Sequence, residues 1–139
     1  MNAIPLGAKG SFSMVVAPEH LASRFKDPTL PPVFATPLMI LFMENAALNA
    51  IREYLAPGES ALGTVVNVRH LAATPVGQQV TAEAVVTGVE GRRIVFAVTA
   101  RDETQEIGSG IHERTLVDVR RLTQRLDAKR NQKTGLSPR

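Results

Sequence analysis

The sequence predicts an α+β fold in which one antiparallel sheet wraps around a single long central helix. Three observations carry that reading. One segment has helical periodicity, four later segments alternate apolar and polar residues, and turn-forming residues separate those four. The length of 139 residues suits one domain with its own core. The expected division is a folded domain over residues 1–120 and a basic C-terminal tail over 121–139.

Ser11 to Val16 (SFSMVV) reads as a short strand closed by Ala17-Pro18. Residues 20–35 hold three prolines and little periodicity, which predicts a loop or flap. Thr36-Pro37 is a helix-start signal, a capping hydroxyl before a proline of the first turn. The helix over Pro37 to Leu55 stops before Ala56-Pro57-Gly58, after about 25 Å at ~1.5 Å per residue. Its polar residues Asn45, Asn49, Arg52 and Glu53 form one solvent-facing stripe.

After the helix the period becomes two. Leu62 to Leu71 places Val66, Val68 and His70 on one face and Val65, Asn67 and Arg69 on the other. Thr74-Pro75-Val76-Gly77 is a turn. Gln79 to Val89 sets Val80, Ala82, Ala84 and Val86 against Thr81, Glu83, Val85 and Thr87. Glu90-Gly91-Arg92 makes a tight hairpin, Arg93 to Asp102 alternates again, and Asp102 to Gln105 turns once more. Glu106 to Val119 completes the set, with Gly108 and Gly110 marking a bulge or a close backbone approach. Short turns predict that sequence neighbours pair antiparallel. One helix and one such sheet bury both apolar faces only if the sheet curls around the helix, which is the single hot-dog arrangement. The remaining sheet edges predict a homodimer.

Composition excludes several classes. Hydrophobic residues at 44 % and charged residues at 21 % argue against disorder. Aromatics at 4 %, with no Trp, leave no stacking platform for nucleic acid, so nucleic acid is not the expected partner. The absence of cysteine removes disulfides and thiolate chemistry. The first twenty residues carry no signal-peptide pattern, and the longest apolar run, Pro37 to Met43, is too short to cross a bilayer. No membrane association and a cytoplasmic location are expected. No HExxH, GxGxxG, GxxxxGK[ST] or GxSxG pattern occurs, so neither a metal nor a bound cofactor is expected. From Arg120 onward seven basic residues face one acid, Asp127, whereas the other 119 residues carry nine Lys and Arg against twelve Asp and Glu. Such a tail suits an anionic partner, and equally a solvated segment.

Glu44 is the residue that asks for a reason. It lies off the polar stripe of its helix, one turn from Ile40, Leu41, Ala47 and Leu48, where an unpaired charge is costly. If the face of Val66 and Val68 packs on the helix, His70 points inward near Glu44, and a carboxylate with an imidazole can hold a water or exchange a proton. The alternative is a core histidine with a structural partner. Thr36 reads as an N-cap, or as part of a helix N-terminus that receives a carbonyl oxygen. A helix starting at Pro37 separates Thr36 from Glu44 by about 12 Å along the axis. Gly63 is a turn glycine or a point of close approach to a ligand. In His112-Glu113-Arg114 the histidine and arginine share one face, where Arg114 orients an anion or makes a surface ion pair.

The runs VFATPLMILFMENAAL, APGESALGTVVNVRHLAATPVG, VEGRR and EIGSGIHERTLV closely resemble the fluoroacetyl-coenzyme A thioesterase family, over roughly residues 30 to 135. The resemblance extends to the tail segment Asp127 to Lys133. It implies a hot-dog homodimer acting on an acyl thioester of coenzyme A, the coenzyme being part of the substrate. It implies Thr36, Glu44 and His70 as the catalytic set, and Gly63 and Arg114 as substrate contacts. One departure concerns specificity: the fluoroacetyl-specific enzyme has a phenylalanine-bearing flap, and KDPTLPPVF offers Leu30 near that position. The competing expectation is a non-catalytic module that binds or senses acyl-coenzyme A.

Overall fold

The computed structural model describes residues 3–135. Five strands, β1 (Lys9–Val15), β2 (Glu59–His70), β3 (Gln79–Glu90), β4 (Arg93–Arg101) and β5 (Glu106–Asp118), form one antiparallel sheet in the order β1-β3-β4-β5-β2. The sheet curls around the helix α2 (Thr36–Ile51), as the hot-dog reading requires. The alternation predicted for β3 and β4 is present: Val80, Ala82, Ala84, Val86, Ile94, Phe96, Val98 and Ala100 are all buried. One pairing differs from expectation. β2 and β3 are not neighbours, because the eight residues 71–78 carry the chain across the sheet and β2 pairs with β5 instead. No helix of the described residues is long and apolar enough to cross a membrane.

The helix also differs at both ends. Thr36 is its first residue, Ala35 occupies the cap position without a side-chain cap bond, and a 3-10 turn (Arg52–Tyr54) takes over after Ile51. The proline-rich loop holds a 3-10 turn (Pro18–His20) and a one-turn helix α1 (Ala22–Phe25), both too short to leave a periodic signal. The basic C-terminal segment continues from β5 as helix α3 (Val119–Gly135), whose N–H of Arg121 is capped by Asp118 at 3.0 Å.

The depth of α2 in the sheet is set by small residues. A Cβ added at Gly10 of β1 would collide with backbone atoms of Ala46 and Ala50. Ala46, Ala47 and Ala50 are buried on the same stretch of helix, so helix and strand backbones touch. Around that contact Phe42 packs on Phe12 and Phe34, with ring centroids 5.0 and 5.1 Å apart. Gly108 marks a close approach, since its Cβ would lie 2.5 Å from Met39 Sδ and 2.8 Å from the Arg69 carbonyl, and it also borders a bulge, since Ala100 pairs with Gly108 and Arg101 with Glu106, passing over Ile107. The register shifts of the sheet fall at Gly63/Val65, Val86/Gly88 and Ala100/Arg101.

Gly10→Ala is expected to destabilise the fold by at least ~1–3 kcal/mol, because fixed backbone, not a flexible side chain, fills the space. Gly88→Ala, whose Cβ would meet only Val95 at 3.7 Å, is expected to stay within ~0.5 kcal/mol. Urea unfolding of the two variants checks this; similar midpoints would remove the backbone contact as the constraint.

Candidate active site

Thr36 and His70 meet. The hydroxyl that the sequence offers as a helix cap instead hydrogen bonds His70 Nδ1 at 2.7 Å. β2 delivers the imidazole at its last residue, and the ring packs edge-on to Phe34 at 6.5 Å. Its Nε2 is buried and has no hydrogen-bond partner among the described residues. Burial lowers the His70 pKa below 6.5, opposed by a weaker backbone hydrogen bond at Ala72. A neutral imidazole with one nitrogen anchored and the other unpartnered is suited to accept a proton. Thr36 and His70 line a cavity of about 360 Å³ whose other walls include Lys26, Leu30, Val33 and Phe34 from the proline-rich loop.

Glu44 belongs to a different cluster. A Cβ built on Gly63 would fall 2.9 Å from Glu44 Oε2, 3.3 Å from His112 Cε1 and 3.9 Å from Arg114 Nη1. Three side chains therefore converge on a point that glycine leaves open. Gly63 reaches this face through the bulge. It pairs with Arg114 while Val66 pairs with His112, and those two β5 residues, two apart, share a face. Strict alternation would send Gly63 and Val66 to opposite faces; the extra residue Thr64, tied by its hydroxyl to the Glu113 carbonyl at 3.2 Å, resets the phase.

Arg114 does not make the surface ion pair considered for it. Its Nε and Nη2 donate to the Ala61 carbonyl at 3.1 and 2.8 Å, and its Nη1 lies 3.1 Å from His112 Nε2. Glu113 takes the opposite face and pairs with Arg93 at 2.7 Å. His112 is only 1 % exposed, with its ring stacked on Phe96 at 5.7 Å. The alternation of His-Glu-Arg carries its facing, but not its depth, which depends on the non-local pairing of β5 with β2.

The expected meeting of Glu44 with His70 does not occur within one chain. Eight residues of helix separate Thr36 from Glu44, about 12 Å. Seven residues of β2 separate Gly63 from His70, about 23 Å at ~3.3 Å each. The chain thus presents two half-sites on one face, Thr36–His70 and Glu44–Gly63–His112–Arg114. No group of three or more His, Cys, Asp or Glu side chains that could hold a metal occurs among the described residues.

Comparison with known proteins gives one consistent answer. The model of a family described as fluoroacetyl-CoA-specific thioesterase matches residues 16–120. A fluoroacetyl-CoA thioesterase of Streptantibioticus cattleyicolor is 43 % identical over 125 residues, 86 % of this chain and 87 % of that protein. A solved variant of the fluoroacetyl-CoA-specific thioesterase, in complex with fluoroacetate and CoA, is 40 % identical with a TM-score of 0.80, over 85 % of this chain and 98 % of that one. A thioesterase-superfamily protein of Thermus thermophilus superposes with a TM-score of 0.91 at 31 % identity, over 97 % of this chain and 99 % of that one.

The half-buried His70 and the buried His112 predict how stability responds to acid. Burial is the leading cause that lowers both His70 and His112 below 6.5. At pH values between the lowered pKa and 6.5 the unfolded chain binds more protons, so stability rises with pH there. The contribution is complete above about 6.5 and is lost as pH falls through the lowered values. Glu113, held down by the Arg93 hydrogen bond, acts only below its ordinary 4.5. Urea midpoints at pH 7.5, 6.5 and 5.5 are expected to fall in that order, and a rise on acidification would contradict the burial of the rings.

Proposed function

The chain belongs to the fluoroacetyl-CoA-specific thioesterase family, and on that premise we propose that it hydrolyses a small acyl thioester of coenzyme A using Thr36, His70 and Glu44. The observation that carries the assignment is the Thr36–His70 bond at the wall of a 360 Å³ cavity, with a buried and unpartnered Nε2. Thr36 orients the imidazole. If Glu44 attacks the carbonyl carbon, the C–S bond breaks as the thiolate leaves, and His70 then takes a proton from the water that hydrolyses the acyl-glutamyl anhydride and passes it to the thiolate, freeing the acid and the Glu44 carboxylate. If water attacks instead, Glu44 takes its proton, the C–S bond breaks, and the proton reaches the departing thiolate through His70; on either route Gly63 leaves room for the acyl carbon beside Glu44. Single-turnover reaction in oxygen-18 water, with the label read in Glu44 or only in the acid product, decides between these two routes.

The separation of the half-sites supports a homodimer. β2 is a sheet edge that exposes Val66 at 43 % and also Leu62 and Val65. If two β2 edges pair antiparallel about a two-fold axis between Val66 and Asn67, Gly63 of one copy faces His70 of the other on the same side of the joined sheet. Each Thr36–His70 pair then completes a site with Glu44, Gly63 and Arg114 of the second copy. At the far end of β5, Arg92, Arg121 and Arg125 line a groove of about 230 Å³, a suitable seat for the phosphates of the coenzyme. Cytoplasmic location is proposed with this substrate.

Purified protein is to be assayed against a panel of acyl-coenzyme A esters with a thiol reagent. Glu44→Ala and His70→Ala are each expected to lower kcat by ~10²-fold or more. Saturable binding without turnover across the panel would favour a sensing module instead. Mixing the Glu44→Ala and His70→Ala proteins, with subunit exchange, is expected to restore roughly a quarter of the parental rate, because half the dimers then hold one intact site. No recovery despite exchange would sink the shared site. Arg121→Ala with Arg125→Ala is expected to raise KM for an acyl-coenzyme A about tenfold and to leave hydrolysis of the matching acyl-pantetheine unchanged.

A further inference from the structure

The hydrolytic reading uses Glu44, Gly63 and Arg114 but leaves the most buried ionisable side chain beside them, His112, without a task. Its hydrogen bonds determine its state. Nδ1 lies 2.8 Å from the Val65 carbonyl, which can only accept, so Nδ1 carries the proton. Nε2 lies 3.1 Å from Arg114 Nη1, which can only donate, so Nε2 carries the lone pair. A protonated ring would turn a second donor onto the guanidinium and break that bond. Stacking on Phe96 fixes the plane of the ring, and the Val65 carbonyl that fixes its tautomer belongs to the bulge that brings Gly63 inward.

We propose that His112 is a positioning residue of the thioester site: neutral and locked in one tautomer, it holds the Arg114 guanidinium against Glu44 and the opening at Gly63. The guanidinium needs such a holder. Two of its nitrogens are committed to the Ala61 carbonyl, and a half-buried Arg with its third nitrogen unmatched would lose hydration there without gaining a fixed direction. A lysine or carboxylate in place of His112 would add a charge beside Glu44 and Arg114, which both border Gly63; imidazole supplies an acceptor without one. The charged groups whose fields reach His112 are Arg114 on its own face of β5, Glu44 from α2, and Glu113 on the opposite face of β5. Arg114 opposes protonation of the ring and the two carboxylates favour it, while burial is the largest influence and opposes it. This role rests on the thioesterase reading for its consequence in catalysis, not for its geometry.

The test separates the two. In nitrogen-15 spectra of the labelled protein, His112 is expected to show a protonated Nδ1 and a bare Nε2 at neutral pH, with the Nε2 resonance displaced in Arg114→Ala. A protonated Nε2 overturns the proposal whatever the enzyme hydrolyses. In turnover, His112→Leu is expected to lower kcat/KM about 10- to 100-fold, as loss of a hydrogen bond to a charged group does. His112→Gln, which keeps an acceptor for Arg114 and a donor for Val65, is expected to stay within about threefold. On the Arg114→Ala background His112→Leu is expected to change kcat/KM by less than twofold, because His112 acts through Arg114. Additive losses, or a Gln variant that folds yet matches Leu, would reduce His112 to a core residue. Absence of turnover in the unaltered protein on every thioester counts against the hydrolase reading alone, and the spectra still decide the state of His112.

Discussion

How deeply α2 lies in the curl of the sheet governs everything that follows in this molecule. Helix and strand backbones touch at Gly10, where any side chain would meet Ala46 and Ala50. That contact fixes the height of the helix above the sheet, and hence what its flanks can reach. Phe42 on one flank fills the space toward Phe12 and Phe34; Glu44 on the other emerges over β2 and β5. A larger residue at position 10 would lift the helix, and a carboxylate that now stands at Gly63 would be moved from the strand that gives it a neighbour. Core packing and site geometry are therefore one constraint, since close-packed interiors transmit displacement rather than absorb it.

β2 depends on a second local device. Twelve residues of strand carry Gly63 near one end and His70 at the other, and both must face the helix. Regular alternation cannot place an odd and an even position on one side. The bulge at Thr64 does so at the cost of one unpaired residue, and its hydroxyl recovers a hydrogen bond from the loss. The same irregularity leaves the Val65 carbonyl available to the buried His112 ring.

Much of this was legible in the sequence, and the failures share a cause. The helix, the alternation of β3 and β4, and the anomaly of Glu44 are local patterns, set by residues within a turn or two. The pairing of β2 with β5 is not local: Thr74 to Gly77 reads as a turn, yet residues 71–78 carry the chain past two strands, β5 and β4, to reach β3. The alternation of His112, Glu113 and Arg114 puts the histidine on the face of Arg114, but its burial follows from the pairing of β5 with β2, which no local pattern specifies. Thr36 is the clearest case. A threonine before proline carries a capping signal in any context, and only the end of β2, thirty-four residues later, turns its hydroxyl to an imidazole.

The two half-sites have opposite electrostatic characters, which bears on why they are kept apart in one chain. At Thr36–His70 the protein sets an imidazole against Phe34 and a loop that is apolar there but for Lys26, and burial lowers its pKa. At Gly63 it gathers a carboxylate, a guanidinium and a second imidazole. A base must meet its substrate ready to take a proton, whereas groups that hold a polar carbonyl must keep their charge and direction before it arrives. Placing His70 within the second cluster of its own chain would set it near both Glu44 and Arg114, whose opposite charges pull its pKa in opposite directions. Distance within the chain lets each environment be built separately. In the proposed dimer the final approach is made across an edge, and β2, with its exposed Leu62, Val65 and Val66, is the edge on which both half-sites lie.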